Sequence, residues 1–236
     1  MIFTSLPMFR AENYLDLENT GHSDLFVSEE PVWTAISRIE HYLDHLLETV
    51  RGDSIHGTVS PQAHVGGSVY VAADAIVEPG ANIVGPAWIG SGTVVRSGAY
   101  IRANVIVGNN CVLGNSSEFK NCLLFDDCEV PHFNYVGDSI LGHKAHLGAG
   151  VICSNVRLDR RNVQVRDGEG GLIDTGLRKF GAVVGDRTEV GCNTVLSPGS
   201  ILGRDCILYP VSHWQGVLPE KSIVKHKQDL DIVRRH

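Results

Sequence analysis

Between Val65 and Phe119 an aliphatic or aromatic residue returns at every sixth position: Val65, Val71, Val77, Ile83, Ile89, Val95, Ile101, Val107, Leu113 and Phe119. Two positions before each stands a residue that is mostly small, among them Ala63, Ala75, Ala81, Thr93, Cys111 and Ser117, and a glycine often follows, as at Gly66, Gly90 and Gly108. A period of six fits neither a helical face nor the alternation of a lone strand, so the repeating unit is a superstructure in which one hexad makes one side and three make a coil. The pattern predicts an all-β solenoid, a parallel β-helix. Its large residues fill a narrow prism, its small ones fit the crowded corner, and its coils stack about 4.8 Å apart.

Upstream, residues 1–30 mix acids, Gly21 and apolar residues without a clear period and read as an irregular lead-in. Pro31 then fits a helix start, Trp33, Ile36, Ile39, Tyr42, Leu43, Leu46, Leu47 and Val50 recur at three- and four-residue steps, and Gly52 offers a stop. The apolar stripe of this helix needs a partner, and an α-helical cap over the open first coil would hide unpaired strand edges. The ladder starts at Val59. Past Phe119 it shifts to Leu124, Val130 and Val136, then to Leu141 and Leu147, each slip shortening one hexad to five residues. It vanishes over 156–181, a long loop of the kind that usually carries function and whose glycines at 168, 170, 171 and 176 predict partial mobility. It returns at Val184, Val190, Leu196, Leu202 and Leu208. The expected organisation is a lead-in and amphipathic helix over 1–57, a β-helix over 58–216, and a tail over 217–236 that closes as a short helix.

Charge adds one fact to this picture. The chain of 236 residues carries a net −7, and residues 1–50, with nine acids against two Lys/Arg, account for all of it. Nothing is basic enough to grip nucleic acid. No apolar run approaches the ~20 residues that a bilayer requires, and the opening MIFTSLPMFRAE lacks the pattern of a secretory signal, so a cytoplasmic location is expected. Of the six cysteines, Cys111, Cys122, Cys128 and Cys206 occupy the small inward site and act as compact hydrophobes, while Cys153 and Cys192 fall elsewhere in the hexad.

Residues 18 apart in an unbroken ladder lie directly over one another. Glu78 over Arg96 is then a surface ion pair of little energetic weight. Arg102 over Lys120 is different, because two cations about 5 Å apart repel unless an anion stands between them. Glu118 could neutralise one of them; otherwise the pair is either a solvated rung or a phosphate site.

The run from Arg102 through EFKN, PHFNYVGDS, LGHKAHLGAGVICSN and KFGAVVGDRTEVG resembles the acetyltransferase half of the bifunctional N-acetylglucosamine-1-phosphate uridylyltransferase/glucosamine-1-phosphate acetyltransferase family. The match covers about residues 95–216, including both register breaks and the loop. EFK followed by HxxYxGD is its most specific part. The resemblance implies a left-handed triangular β-helix, a homotrimer, acetyl-CoA as co-substrate with no metal required, and a sugar-phosphate acceptor bound where subunits meet. It implies nucleotide-sugar synthesis for a cell envelope. By position it makes His132 the general base and Arg102, Lys120, Tyr135 and Lys179 the phosphate holders. Glu118, His146 and Asn155 fall near the amino sugar, and Ala149, Cys192 and Pro210 line the acetyl-CoA groove. The family has asparagine, tyrosine and serine where this chain has His146, Val156 and Cys192. Residues 1–57 are too short for the uridylyltransferase half and lack its glycine-rich nucleotide loop, so the acetyl-transferring half alone is expected.

Such a site must bring an amine to a thioester, remove a proton and stabilise an oxyanion, and an imidazole suits the proton step near neutral pH. His132, His143 and His146 also invite a zinc reading, since some left-handed β-helices are zinc carbonic anhydrases. The ligand spacing of those enzymes, a pair five residues apart and a third far upstream, is not found here. Two readings stay open: an amino-sugar-1-phosphate N-acetyltransferase, and a catalytically silent scaffold or regulatory subunit for a sugar nucleotidyltransferase partner. For either, three flat faces with outward apolar residues such as Val84 and Ile106 suit a trimer. Light scattering after size exclusion should report about three times the 25.6 kDa chain mass; a clean monomer at micromolar concentration would rule out a site shared between subunits.

Overall fold

The computed structural model describes residues 7–50, 54–166, 171–227 and 231–235. Its body is a left-handed parallel β-solenoid of about nine turns. Three parallel sheets form the faces of the prism. The first runs from Thr58–Val59 to Ile223–Val224, the second from His64–Val65 to His213–Trp214, and the third from Val69–Val71 to Val217–Leu218. The hexad residues point inward from all three and pack on one another down the axis, together with the buried Cys111, Cys122, Cys128 and Cys206. Cys153, unassigned by the hexad, is also in this core, paired in register with Val136.

Coil length follows the hexads. The first coils advance 18 residues, as from Tyr100 to Glu118. From Cys122 paired with Val105 to Ile152 paired with Tyr135, they advance 17. Both five-residue steps, Phe119 to Leu124 and Val136 to Leu141, fall at the corner between the second and third faces. Asn121 (φ 47°) and Asp138 (φ 48°) turn that corner in the left-handed conformation, which these short polar side chains accept at low cost.

The helix Ile39–Thr49, preceded by a 3₁₀ segment Val32–Arg38, does not lie across the open first coil. The N-terminal cap covers a flank instead. Outward residues of the third face, Ile106, Leu123, Ile140, Val183 and Ile201, are all fully buried under Phe9, Leu15, Leu25, Trp33, Ile36 and Leu43. Each such residue contributes roughly 1.5–3 kcal/mol by leaving water, so the apolar stripe docks where apolar area is available. Ile106, expected at a subunit interface, is therefore covered within its own chain. The expected stop at Gly52 lies outside the described residues.

A buried carboxylate fixes this flank. Asp186 Oδ2 accepts the amide of Asp16 at 2.7 Å and Oδ1 that of His143 at 2.9 Å, while Arg204 Nε lies 3.3 Å away and Arg204 Nη2 donates to the Glu12 carbonyl. Burial raises the Asp186 pKa against these bonds and the cations Arg204 and Arg187.

The 156–181 loop also joins the flank. Gln164–Arg166 and Leu172–Asp174 form an antiparallel hairpin, and Val163, Val165 and Phe180 are buried beside Trp33. Two of the glycines read as mobile, Gly168 and Gly170, lie outside the described residues. The tail continues the solenoid rather than closing as a helix: Val217–Leu218 pairs with Ile201–Leu202, and Ile223–Val224 with Ile207–Leu208. Alternating inward and outward apolar residues in these pairs satisfy a strand. Among the described residues no helix is long and apolar enough to cross a membrane.

His22 gives the flank a pH dependence. It is 6% exposed, its Nδ1 lies 3.1 Å from the Tyr42 hydroxyl, and its ring meets Trp88 edge-on. Burial lowers its pKa from 6.5 to about 4, with Asp126 opposing. Because the folded pKa is depressed, the unfolded chain takes up a proton between pH 6.5 and 4 that the folded one refuses. Stability is thus full above pH 6.5 and falls as pH drops, by about 2 kcal/mol at pH 5. Thermal unfolding at pH 7 and pH 5 should show this loss in the native chain and a smaller one in His22→Phe; equal losses would show that another group titrates.

Candidate active site

Register brings four of the expected residues into one column. Asn115 pairs with His132, His146 lies 17 beyond Glu129 and Glu189 43 beyond His146, and Ile207 lies 18 beyond Glu189. Carried three positions on, the same steps stack His132, Ala149, Cys192 and Pro210 along the corner between the first and second faces. The amide of Gly150 donates to His132 at 3.0 Å, that of Asn193 to Ala149 at 2.8 Å, and that of Val211 to Cys192 at 2.8 Å. The column is roughly 15 Å long, three strand spacings. His132 and Cys192 are exposed, and a largely apolar groove of about 310 Å³ runs along the first-face side of the column, lined by His146, Gly148, Gly191, Cys192, Tyr209 and Pro210.

A second group occupies the second face and its far corner. Glu118 and Tyr135 pair in register, and the Arg102 amide donates to the Phe119 carbonyl, so Arg102 lies beside Lys120. Glu118 neutralises one of the two cations: its Oε1 accepts from Arg102 Nη1 at 2.8 Å and raises the Arg102 pKa. Glu78, by contrast, accepts the amide of Ser97 at 2.9 Å in place of the expected ion pair with Arg96.

Asn155 Nδ2 donates to the Tyr135 hydroxyl at 3.1 Å and to Asp138, which also accepts from Asn121 Nδ2 at 2.9 Å. Partial burial raises the Tyr135 pKa, with the Asn155 bond opposing and the Asp138 and Glu118 charges adding. The hydroxyl thus stays protonated at neutral pH. Lys179 is exposed next to Phe180, whose amide donates to the Asn155 carbonyl at 3.0 Å. Arg102, Glu118, Lys120, Tyr135, Asn155 and the loop end bearing Lys179 therefore share one region.

His146 is not in that region. It lies on the first face, its Nδ1 2.6 Å from Glu189 Oε2 and its neighbours in register Glu129 and Glu189. His143 bonds the Asp126 carbonyl instead, with Asp127 at 3.5 Å. Among the described residues no group of three or more His, Cys, Asp or Glu could hold a metal ion.

Two residues escaped the sequence reading, both buried: Asp138 in this region and Asn134 at the corner beside His132. The signals were present: Asp138 closes the HxxYxGD run, and Asn134 occupies an inward position that is elsewhere mostly small.

A family model described as the GMPPB C-terminal domain matches residues 83–169. The bifunctional protein GlmU of Methanococcus maripaludis is 32% identical over 209 residues, covering 86% of this chain and 48% of that protein. A bifunctional sugar-1-phosphate nucleotidylyltransferase/acetyltransferase of Sulfurisphaera tokodaii is 35% identical over 97 residues, 41% of this chain and 24% of that one. The chain spans about half or less of the length of these curated relatives. Among solved structures, a mutant GDP-perosamine N-acetyl transferase from Caulobacter crescentus, in complex with CoA and GDP-perosamine, overlaps 68% of this chain and 53% of its own at 17% identity and a TM-score of 0.31.

Arg102→Ala and Lys120→Ala should each weaken a phosphate-bearing acceptor more than tenfold, on the order of 1.5–3 kcal/mol, with acetyl-CoA affinity nearly unchanged. Titration calorimetry with each ligand measures both. If neither substitution moves the affinity of any phosphorylated sugar, the two cations are a solvated rung.

Proposed function

We propose that this chain, a hexapeptide-repeat relative of the bifunctional sugar-1-phosphate nucleotidylyltransferase/acetyltransferases, transfers the acetyl group of acetyl-CoA to the amine of an amino-sugar 1-phosphate. The reading is supported by the column of His132, Ala149, Cys192 and Pro210, whose last two members line an apolar groove, and by Arg102 and Lys120 side by side across the second face.

In this reading the groove takes the extended arm of acetyl-CoA, and the cations, Tyr135 and Lys179 take the phosphate. Glu118 and Asn155 fix the sugar, and His146, on the first face, would meet it only from a neighbouring subunit. The amine nitrogen attacks the thioester carbonyl as the His132 imidazole takes its proton. The C–S bond then breaks and the thiolate leaves, reprotonated by the imidazolium. The column and the cation pair face different directions, so a neighbouring subunit closes the site, in keeping with a homotrimer. Dependence on acetyl-CoA suits a cytoplasmic location and a step in nucleotide-sugar synthesis.

The second reading, a silent scaffold for a sugar nucleotidyltransferase, draws on His146, Val156 and Cys192, which stand where the resembled family has other residues. Thiol release from acetyl-CoA separates the two. Glucosamine 1-phosphate, galactosamine 1-phosphate and the unphosphorylated sugars should be compared, with turnover expected for a phosphorylated amino sugar. His132→Ala should lower kcat by about 10²–10⁴ with the oligomer intact. No turnover above background with any amino sugar, and no effect of His132→Ala, would establish the scaffold.

A further inference from the structure

The inward site two positions before each hexad residue is narrow, and most coils fill it with a small side chain: Ala75, Ala81, Ala99, Cys111, Ser117 and Cys128. In the coil that carries His132 the same site holds Asn134, an amide 3% exposed. Its side chain is fully engaged. Oδ1 accepts the backbone N–H of His132 at 3.0 Å and faces Ser117 Oγ at 3.3 Å, and Nδ2 donates to the Gly148 carbonyl at 2.7 Å. The Asn134 amide donates to Ser117 Oγ at 3.1 Å, and its carbonyl accepts from Glu118 at 2.8 Å. The orientation of the side-chain amide is forced, since a backbone N–H can only donate and a backbone carbonyl only accept. One residue thus ties three successive coils together at the corner bearing the proposed base.

The corner also carries backbone strain. Between His132 and Asn134 stands Phe133 at φ 54° and 61% exposed, where the next coils place Gly150, Asn193 and then Val211 at φ 61°. A bulky residue in the left-handed region costs roughly 1–2 kcal/mol and persists only where its surroundings over-determine it. Ala or Ser at position 134 could fill the site but could not reach both His132 and Gly148.

We propose that Asn134 is a positioning residue for His132: its amide bracket fixes the corner of the coil that carries the imidazole. The inference rests on the proposed acetyl transfer and adds a residue to its machinery that has no part in binding either substrate. A small displacement of a reacting group is costly, up to about 10²-fold per ångström. Asn134→Ala should therefore lower kcat about tenfold or more while KM for both substrates stays within about twofold.

Asn134→Asp keeps an acceptor for the His132 amide and should recover part of that loss. In a His132→Ala background, Asn134→Ala should change kcat no further, because a group that acts through His132 has nothing left to position. A rise in both KM values with kcat unchanged, or additive losses in the double variant, would overturn the proposal. Backbone hydrogen exchange on the full chain gives a readout independent of turnover. The His132 amide should lose protection in Asn134→Ala and keep it in Asn134→Asp, with the neighbouring coils unchanged; equal protection in all three chains would also overturn it. Should the native chain transfer acetyl to no amino sugar, the activity reading fails by itself while the exchange measurement still decides the bracket.

Discussion

The prism inside the coils admits one large side chain from each face, and that packing limit governs what lies outside it. Because Ile83, Ile101 and Phe119 must stack on one another in the core, their outward neighbours Asn82, Tyr100 and Glu118 stack as well, at a spacing set by backbone hydrogen bonds between coils. A residue's place in its hexad thus fixes which residues of the next coil it meets. The candidate site uses this directly: His132, Ala149, Cys192 and Pro210 belong to different coils yet form one line, because each holds the same place after a core residue.

The three faces are not equivalent. On the third, the outward residues are apolar and buried under the N-terminal segment and the loop hairpin, which bring their own apolar residues to the same cluster. The first and second faces keep polar or half-exposed residues outward, such as Glu129, His146, Glu118 and Tyr135. The chain therefore spends one face on its own stability and leaves the other two uncovered by its own segments. The acidic character of the first 50 residues stays on the solvent side of that flank, with Asp186 as its buried anchor.

Small hydroxyls such as Thr93, Thr188 and Thr194 enter the interior along regular coils, and larger polar groups gather at two corners of the shortened coils. The five-residue steps tighten the corner between the second and third faces, and Asn121, Asp138 and Asn155 satisfy one another there. At the other corner Ser117 and Asn134 do the same across coils. Buried networks of this kind are stabilising only when every member is paired. Here they also give the second face its fixed geometry, and Tyr135 and Asn155 are held by bonds made before any ligand arrives.

The sequence by itself determined the solenoid, because a six-residue period leaves few alternatives for burying one large residue per side. It determined the Arg102–Lys120 rung and the place of four of the buried cysteines, Cys111, Cys122, Cys128 and Cys206, since stacking along the ladder is arithmetic. It also held a signal that went unread: Tyr70, Trp88, Ile106, Leu123, Ile140, Val183, Ile201 and Val217, the outward residues of the third face, recur once per coil and mark a face that must be covered. Only the tertiary structure decided what covers it. Period and spacing show that a stripe is apolar, but not which distant apolar surface it meets, so a helix expected over the open end lies along a flank. For the same reason the separation of His146 from the Arg102–Lys120 group, and the reach of Asn134 to both His132 and Gly148, emerge only when the coils are stacked. Both depend on which corner a residue occupies, and the register breaks and the 43-residue step across the loop set that position.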